Sequence, residues 1–280
     1  MSNSWRVIVF LFFIAFFFAL DLLGPSEAEL AQVWKNVVYW LLFFVVGISI
    51  LFVLYLRSYL GNVQAYTRAA GLVFKDQLNE GLAAMNGLDA GLKPTQYYPM
   101  LLQARGYTVF ALGRLDEALS ILGEAESVVK SRGMKKGDAP FIVYKTLAEL
   151  WAVEGHTDIA RRNLKVASQI EPQFCLYPLS LSELIILCRE KSYAQAAELM
   201  TSEYRAASGL CPAHQVNVIK LFWAFALDGL KNPTEQTEIA RLIAGLHPFK
   251  LGEFDYLAVN WPELKVFLKE QNLSAADAAA

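Results

Sequence analysis

The sequence predicts an all-α protein in which two transmembrane helices precede an α-solenoid of helical hairpins. Three observations predict it. Two long apolar runs crowd the start of the chain. The remainder shows helical periodicity, punctuated by Gly and Pro at intervals that suit short helices. One small-residue pattern also occurs twice. "GRLDEALSILGEA" (113–125) and "GHTDIARRNLKVA" (155–167) place Gly, Ala, Leu and Ala at the same relative spacing.

The first apolar run, "VIVFLFFIAFFFAL" (7–20), continues through Asp21 to Leu22 and Leu23, and predicts a helix over about 5–23. Arg6 before it and "PSEA" after it also fit a signal peptide cleaved after Ala28. Cleavage would leave a very short tail ahead of the next run, which favours an uncleaved helical hairpin. Asp21 then stands near the interface, where its carboxylate reaches water.

The second run, "VVYWLLFFVVGISILFVLYL" (37–56), contains no charge. About 20 apolar residues at 1.5 Å each match a hydrocarbon core of roughly 30 Å, and a helix satisfies its own backbone hydrogen bonds there. Tyr39, Trp40 and Tyr55 suit the two interfaces. Arg6, Arg57, Arg68 and Lys75 flank the pair, whereas the connection "GPSEAELAQVWKN" offers only Lys35 against Glu27 and Glu29. The positive-inside rule places both ends in the cytoplasm.

The rest of the chain divides into stacked hairpins. In "FIVYKTLAELWAVEGHTDIARRNLKVASQIEP" (141–172), Tyr144, Leu147, Ala148 and Trp151 share one helical face. Gly155 supplies the left-handed residue that ends a helix. Ala160 and Ala167 allow the second helix to pack closely, and Pro172 stops the unit. With Leu164, these positions resemble the signature of a tetratricopeptide repeat. Leu102, Gly106, Gly113, Ala118, Leu122 and Ala125 repeat it one unit earlier, with Arg105 in a usually apolar place. A third unit, "LSELIILCREKSYAQAAELM", puts Ala196 in register with Ala160. Flanking segments have hairpin-like lengths and degenerate signatures.

The expected organisation is a membrane hairpin over 1–57, a linker with a degenerate first hairpin over 58–97, and a TPR-like solenoid over 98–248. A capping segment over 249–271 and a frayed tail over 272–280 follow. Ala118 to Ala160 exceeds the usual repeat of about 34 residues. The surplus coincides with "KSRGMKKGD", read either as a solvated loop or as a contact for anionic lipid or an acidic partner.

Composition narrows function. Hydrophobic residues make up 55% and mean hydropathy is +0.32, above the usual apolar share of a soluble protein. A net charge of −2 leaves no electrostatic footprint for nucleic acid. Cys175, Cys188 and Cys211 sit among apolar neighbours and read as reduced thiols. Cys211 and His214 have a spacing two metal ligands can use, but no second pair completes a zinc site. No GxxxxGK[ST], GxSxG, HExxH or CxxC occurs, so neither enzyme activity nor a cofactor or metal is expected. His156, His214 and His247 are scattered at turns or helix ends.

The resemblance implies a concave groove lined by the first helix of each hairpin. Its inward places would be Gln103, Tyr107 and Phe110, then Lys145 and Glu149, then Arg189. That mixture suits a protein or peptide segment. A plainer alternative has Tyr107 and Phe110 packing between hairpins. The expected function is a membrane-anchored scaffold or assembly factor that recruits a protein at the cytoplasmic face. The alternative is an accessory subunit of a membrane transport, secretion or respiratory complex, bound through its hairpin. Expected partners are a protein or peptide in the groove, the lipid bilayer and other integral membrane proteins. The layout is similar to that of bacterial inner-membrane repeat proteins, including ones linked to haem or cytochrome maturation. By that likeness the chain is expected in a bacterial inner membrane with its C-terminal domain in the cytoplasm.

Overall fold

The computed structural model describes residues 27–73, 75, 77–173, 178–211, 213–246 and 249–275, and every regular element among them is helical. The first apolar run with Asp21, together with Cys175, His247 and the end of the tail, lies outside the described residues. The chain forms two units, 1–58 and 59–280.

Helix α1 runs from Glu27 to Val73. At 1.5 Å per residue its 47 residues extend roughly 70 Å, well over twice a hydrocarbon core. Residues expected in a loop (27–36) and in a linker (58–73) are therefore helical. The residues on both sides of the charge-free run, 27–36 and 57–73, include no Pro that would stop the helix. Among the described residues, α1 is the one helix long and apolar enough to cross a membrane. Among its described apolar side chains, Phe43 is 72% exposed and Phe52 61%.

Within the second unit, α2 (Leu78–Asn86) and the short α3 (Asp89–Leu92) precede four helical pairs. These are α4 (Tyr98–Ala111) with α5 (Leu115–Ser131), α6 (Asp138–Glu154) with α7 (Thr157–Ser168), α8 (Ser180–Arg189) with α9 (Tyr193–Leu210), and α10 (Ala213–Gly229) with α11 (Gln236–Ala244). Each helix packs on its pair mate, and the first helices also pack in series, α4 on α6, α6 on α8 and α8 on α10.

Small residues set the approach of helices within a pair. Ala118, Ala125, Ala160, Ala167 and Ala196 are fully buried. A Cβ on Gly106 would stand 2.9 Å from Leu122 Cγ and 3.3 Å from Ala118 O, so α4 and α5 touch through a missing side chain. The turns repeat as well. Gly113, Gly155, Lys191 and Lys231 take φ of 79°, 110°, 60° and 52° at the four within-pair turns. In the first three, the next amide donates to a carbonyl five residues back: Arg114 to Val109, His156 to Trp151, Ser192 to Leu187. This is the hydrogen-bond pattern of a Schellman motif.

Arg105, in its usually apolar place, is accounted for by α3. Its Nη1 donates to both carboxylate oxygens of Asp89, at 2.8 and 3.0 Å. The surplus between the first two pairs is absorbed partly by α5, so the basic loop shrinks to residues 132–137.

The C-terminal segment comprises a 3-10 turn (Asp255–Ala258) and α12 (Pro262–Glu270), with Pro262 at a tolerated first-turn position. It packs along the C-terminal ends of several first helices rather than on the last pair alone. Tyr256 meets Phe110 of α4 edge-on at 4.9 Å, Asn260 Nδ2 donates to Glu154 Oε2 of α6 at 2.6 Å, and Trp261 lies against Phe222 and Phe225 of α10.

Candidate functional site

A cavity of about 780 Å³ opens on the faces of α4 and α6. That is within the range of sites that enclose a ligand or side chains of a partner. Gln103 and Tyr107 stand one turn apart on α4, as do Lys145 and Glu149 on α6, so helical spacing puts each pair on one face and the packing of α4 on α6 brings all four to the same space. Tyr66, Thr67, Ala70 and Gly71, from the end of α1, form one wall. Gly209, Leu210, His214 and Gln215, at the junction of α9 and α10, form the other.

The floor is polar and internally bonded. Lys145 Nζ donates to Glu149 Oε1 at 2.5 Å, with side chains only 4% and 9% exposed. Ser182 of α8 donates to the same oxygen at 2.8 Å. Gln103 Nε2 donates to Thr146 Oγ1 at 2.9 Å. These bonds offset the cost of burying polar groups and lock α4, α6 and α8 together. Half-buried Cys211 is close enough to feel this pair. Its thiol is pushed up chiefly by burial, with Lys145 lowering and Glu149 raising it further.

The walls are different. Tyr107 lies 6.2 Å from the His214 ring, and Tyr66 adds a third ring. Gln215 Oε1 is buried and accepts no hydrogen bond. The arrangement provides aromatic area above a floor whose charges already satisfy each other.

Two of the six expected groove residues do not line the cavity. Phe110 is buried between Tyr107 and Tyr256. Arg189 lies 4.7 Å over the Trp261 ring and donates to Asn260 O at 2.8 Å. Both are covered by the C-terminal segment, whose path no helical period foretells. Sequence reasoning missed Tyr66, Thr67, His214 and Gln215, which come from helix ends rather than from the middles of first helices.

Among the described residues, no group of three His, Cys, Asp or Glu is placed to hold a metal ion. Buried Cys188 donates its thiol proton to Phe222 O at 3.5 Å, and burial raises its pKa. No protein-family model, curated protein or solved structure matches the chain.

Proposed function

We propose that the chain is a membrane-anchored scaffold whose TPR-like solenoid captures a segment of a partner protein in the α4–α6 cavity. The observation that carries this reading is the convergence of Gln103, Tyr107, Lys145 and Glu149, from two successive first helices, on one cavity with aromatic walls. The serial packing of first helices and the recurring left-handed turn support the solenoid. The long apolar stretch of α1 supports the anchor. Restricting a partner to the membrane raises its effective concentration there without any new contact. The location that fits this reading is a bacterial inner membrane, with the solenoid in the cytoplasm.

The segment recognised presents an apolar side chain to Tyr66, Tyr107 and His214. Charge reversal at Lys145 or Arg189 is a poor test, since both residues hold the fold together. Gly71→Phe is a better one. Gly71 lines the cavity and a Cβ there meets nothing within 4 Å, so a larger side chain starts from open space. Full-length protein is purified in mild detergent from its native membrane, with and without this substitution. Loss of one co-purifying protein, with unchanged helicity, supports capture in the cavity. Retention of every partner by Gly71→Phe, together with their loss when the apolar run is exchanged for an unrelated one, would make this a subunit held through its membrane helix.

A further inference from the structure

A basic loop touches lipid only if the fold keeps it at the membrane end of the domain. Within the second unit, contacts hold such a loop near Tyr59, the residue at which that unit begins. Tyr59 stands three residues beyond Leu56, the last residue of the charge-free run. Its ring lies 6.1 Å from that of Tyr97, in the connection between α3 and α4. Three positions along α1, Asn62 crowds Gly91 of α3. The Arg132 guanidinium then ties the basic loop to this same connection, donating to the carbonyl of Thr95 and, at 2.5 Å, to that of Lys93. Lys93 and Arg132 are thereby brought together near Tyr59, with Lys135 and Lys136 in the same loop as Arg132, and all four are exposed.

None of the four forms an ion pair among the described residues, in contrast to the cations around them. Lys130 is neutralised by Glu126 at 2.7 Å and Arg105 by Asp89. Among the described residues, no carboxylate pairs with Lys93, Arg132, Lys135 or Lys136. The carbonyls that hold Arg132 fix its position and leave its charge intact. We propose that these four residues form a headgroup-binding face that holds the domain against anionic lipid. The proposal rests on residues 37–56 being a membrane span. It extends the scaffold reading by giving the domain a second attachment, which would restrain its motion about the anchor.

The test uses the full chain reconstituted into vesicles of phosphatidylcholine alone, or of phosphatidylcholine with about three parts in ten phosphatidylglycerol. Amines of outward-facing domains are acetylated with a membrane-impermeant reagent and read by mass spectrometry. Lys265 of α12 is the internal control, because α12 packs at the opposite ends of the first helices, where Glu263 pairs with Lys191 at 2.8 Å. Attraction near an anionic surface corresponds to about five-fold per cation. Acetylation of Lys93, Lys135 and Lys136 is therefore expected to slow about five-fold in the anionic vesicles, with Lys265 unchanged. The protection should vanish at about half-molar salt, where the Debye length falls to roughly 4 Å. Lys135→Glu/Lys136→Glu should restore Lys93 to its rate in neutral vesicles. Equal rates in the two vesicle types, or equal slowing at Lys265, would overturn the face while leaving the anchor intact. Removal of the protein from neutral vesicles by alkaline carbonate would instead overturn the anchor, and the face with it.

Discussion

Lys145→Met removes an ammonium from the cavity floor while keeping most of the side-chain volume. In the parent, Lys145 and Glu149 are 2.5 Å apart, with side chains 4% and 9% exposed, and Ser182 adds a second donor to the same oxygen. The substitution leaves Glu149 buried with one neutral donor. Breaking such a pair from one side costs about 3–5 kcal/mol, because the remaining charge is desolvated without compensation. For a domain of this size each kcal/mol moves the melting midpoint by about 2–4 °C, so a fall of roughly 6–20 °C is expected. Thermal unfolding of the full-length protein in detergent, followed by far-UV circular dichroism, measures it. Lys145→Met/Glu149→Met removes both charges and should recover most of the loss, since apolar replacement of a buried pair is often neutral or stabilising. A single variant melting within about 2 °C of the parent would refute the reasoning. The same conclusion would follow if the double variant were less stable than the single one.

Other expectations follow from individual contacts. Gly155→Ala should cost about 1–3 kcal/mol in the same assay, because φ is 110° and the new Cβ would stand 2.6 Å from an Arg189 guanidinium already held by Asn260. Lys231→Gly should leave stability unchanged or raise it by up to about 1 kcal/mol, since it relieves a left-handed lysine at the loss of a surface pair with Asp228. Tyr98 donates to Glu124 at 2.9 Å, and burial first, then that carboxylate, pushes its pKa up to about 12. The unfolded chain releases this proton near pH 10 while the folded chain keeps it, so stability should fall as pH rises from about 10 toward 12. Tyr98→Phe should flatten that part of the pH profile; an unchanged slope would exclude the assignment.

Much of the helical order was legible because it depends on local chemistry. Gly155 predicts a left-handed turn, and Ala160, Leu164 and Ala167 predict a buried face, because backbone freedom and side-chain volume act within one or two turns of helix. The signature fades after the second pair for an identifiable reason. The left-handed turn persists at Lys191 and Lys231, but lysine occupies it, so the glycine that marks it in sequence is missing. Helix α1 overran its expected bounds at both ends, because hydropathy delimits an apolar run and not the helix that contains it.

The cavity was half legible. Residues one turn apart on α4 and α6 had to share a face, whereas Tyr66, His214 and Gln215 reach it from segments distant in sequence. Phe110 and Arg189 illustrate the converse. Their helical positions were readable, but the C-terminal segment that covers them is placed by tertiary packing of Tyr256 and Trp261.

The most direct measurement is site-specific photo-crosslinking in the native membrane. A photoreactive phenylalanine analogue replaces Tyr107 in the cavity, or Val259, which is 51% exposed on the C-terminal segment, as control. Capture in the cavity predicts an adduct between Tyr107 and one defined segment of a single protein, absent from Val259 and abolished by Gly71→Phe. Adducts of equal yield at both positions, or an adduct at Tyr107 that survives Gly71→Phe, would contradict it.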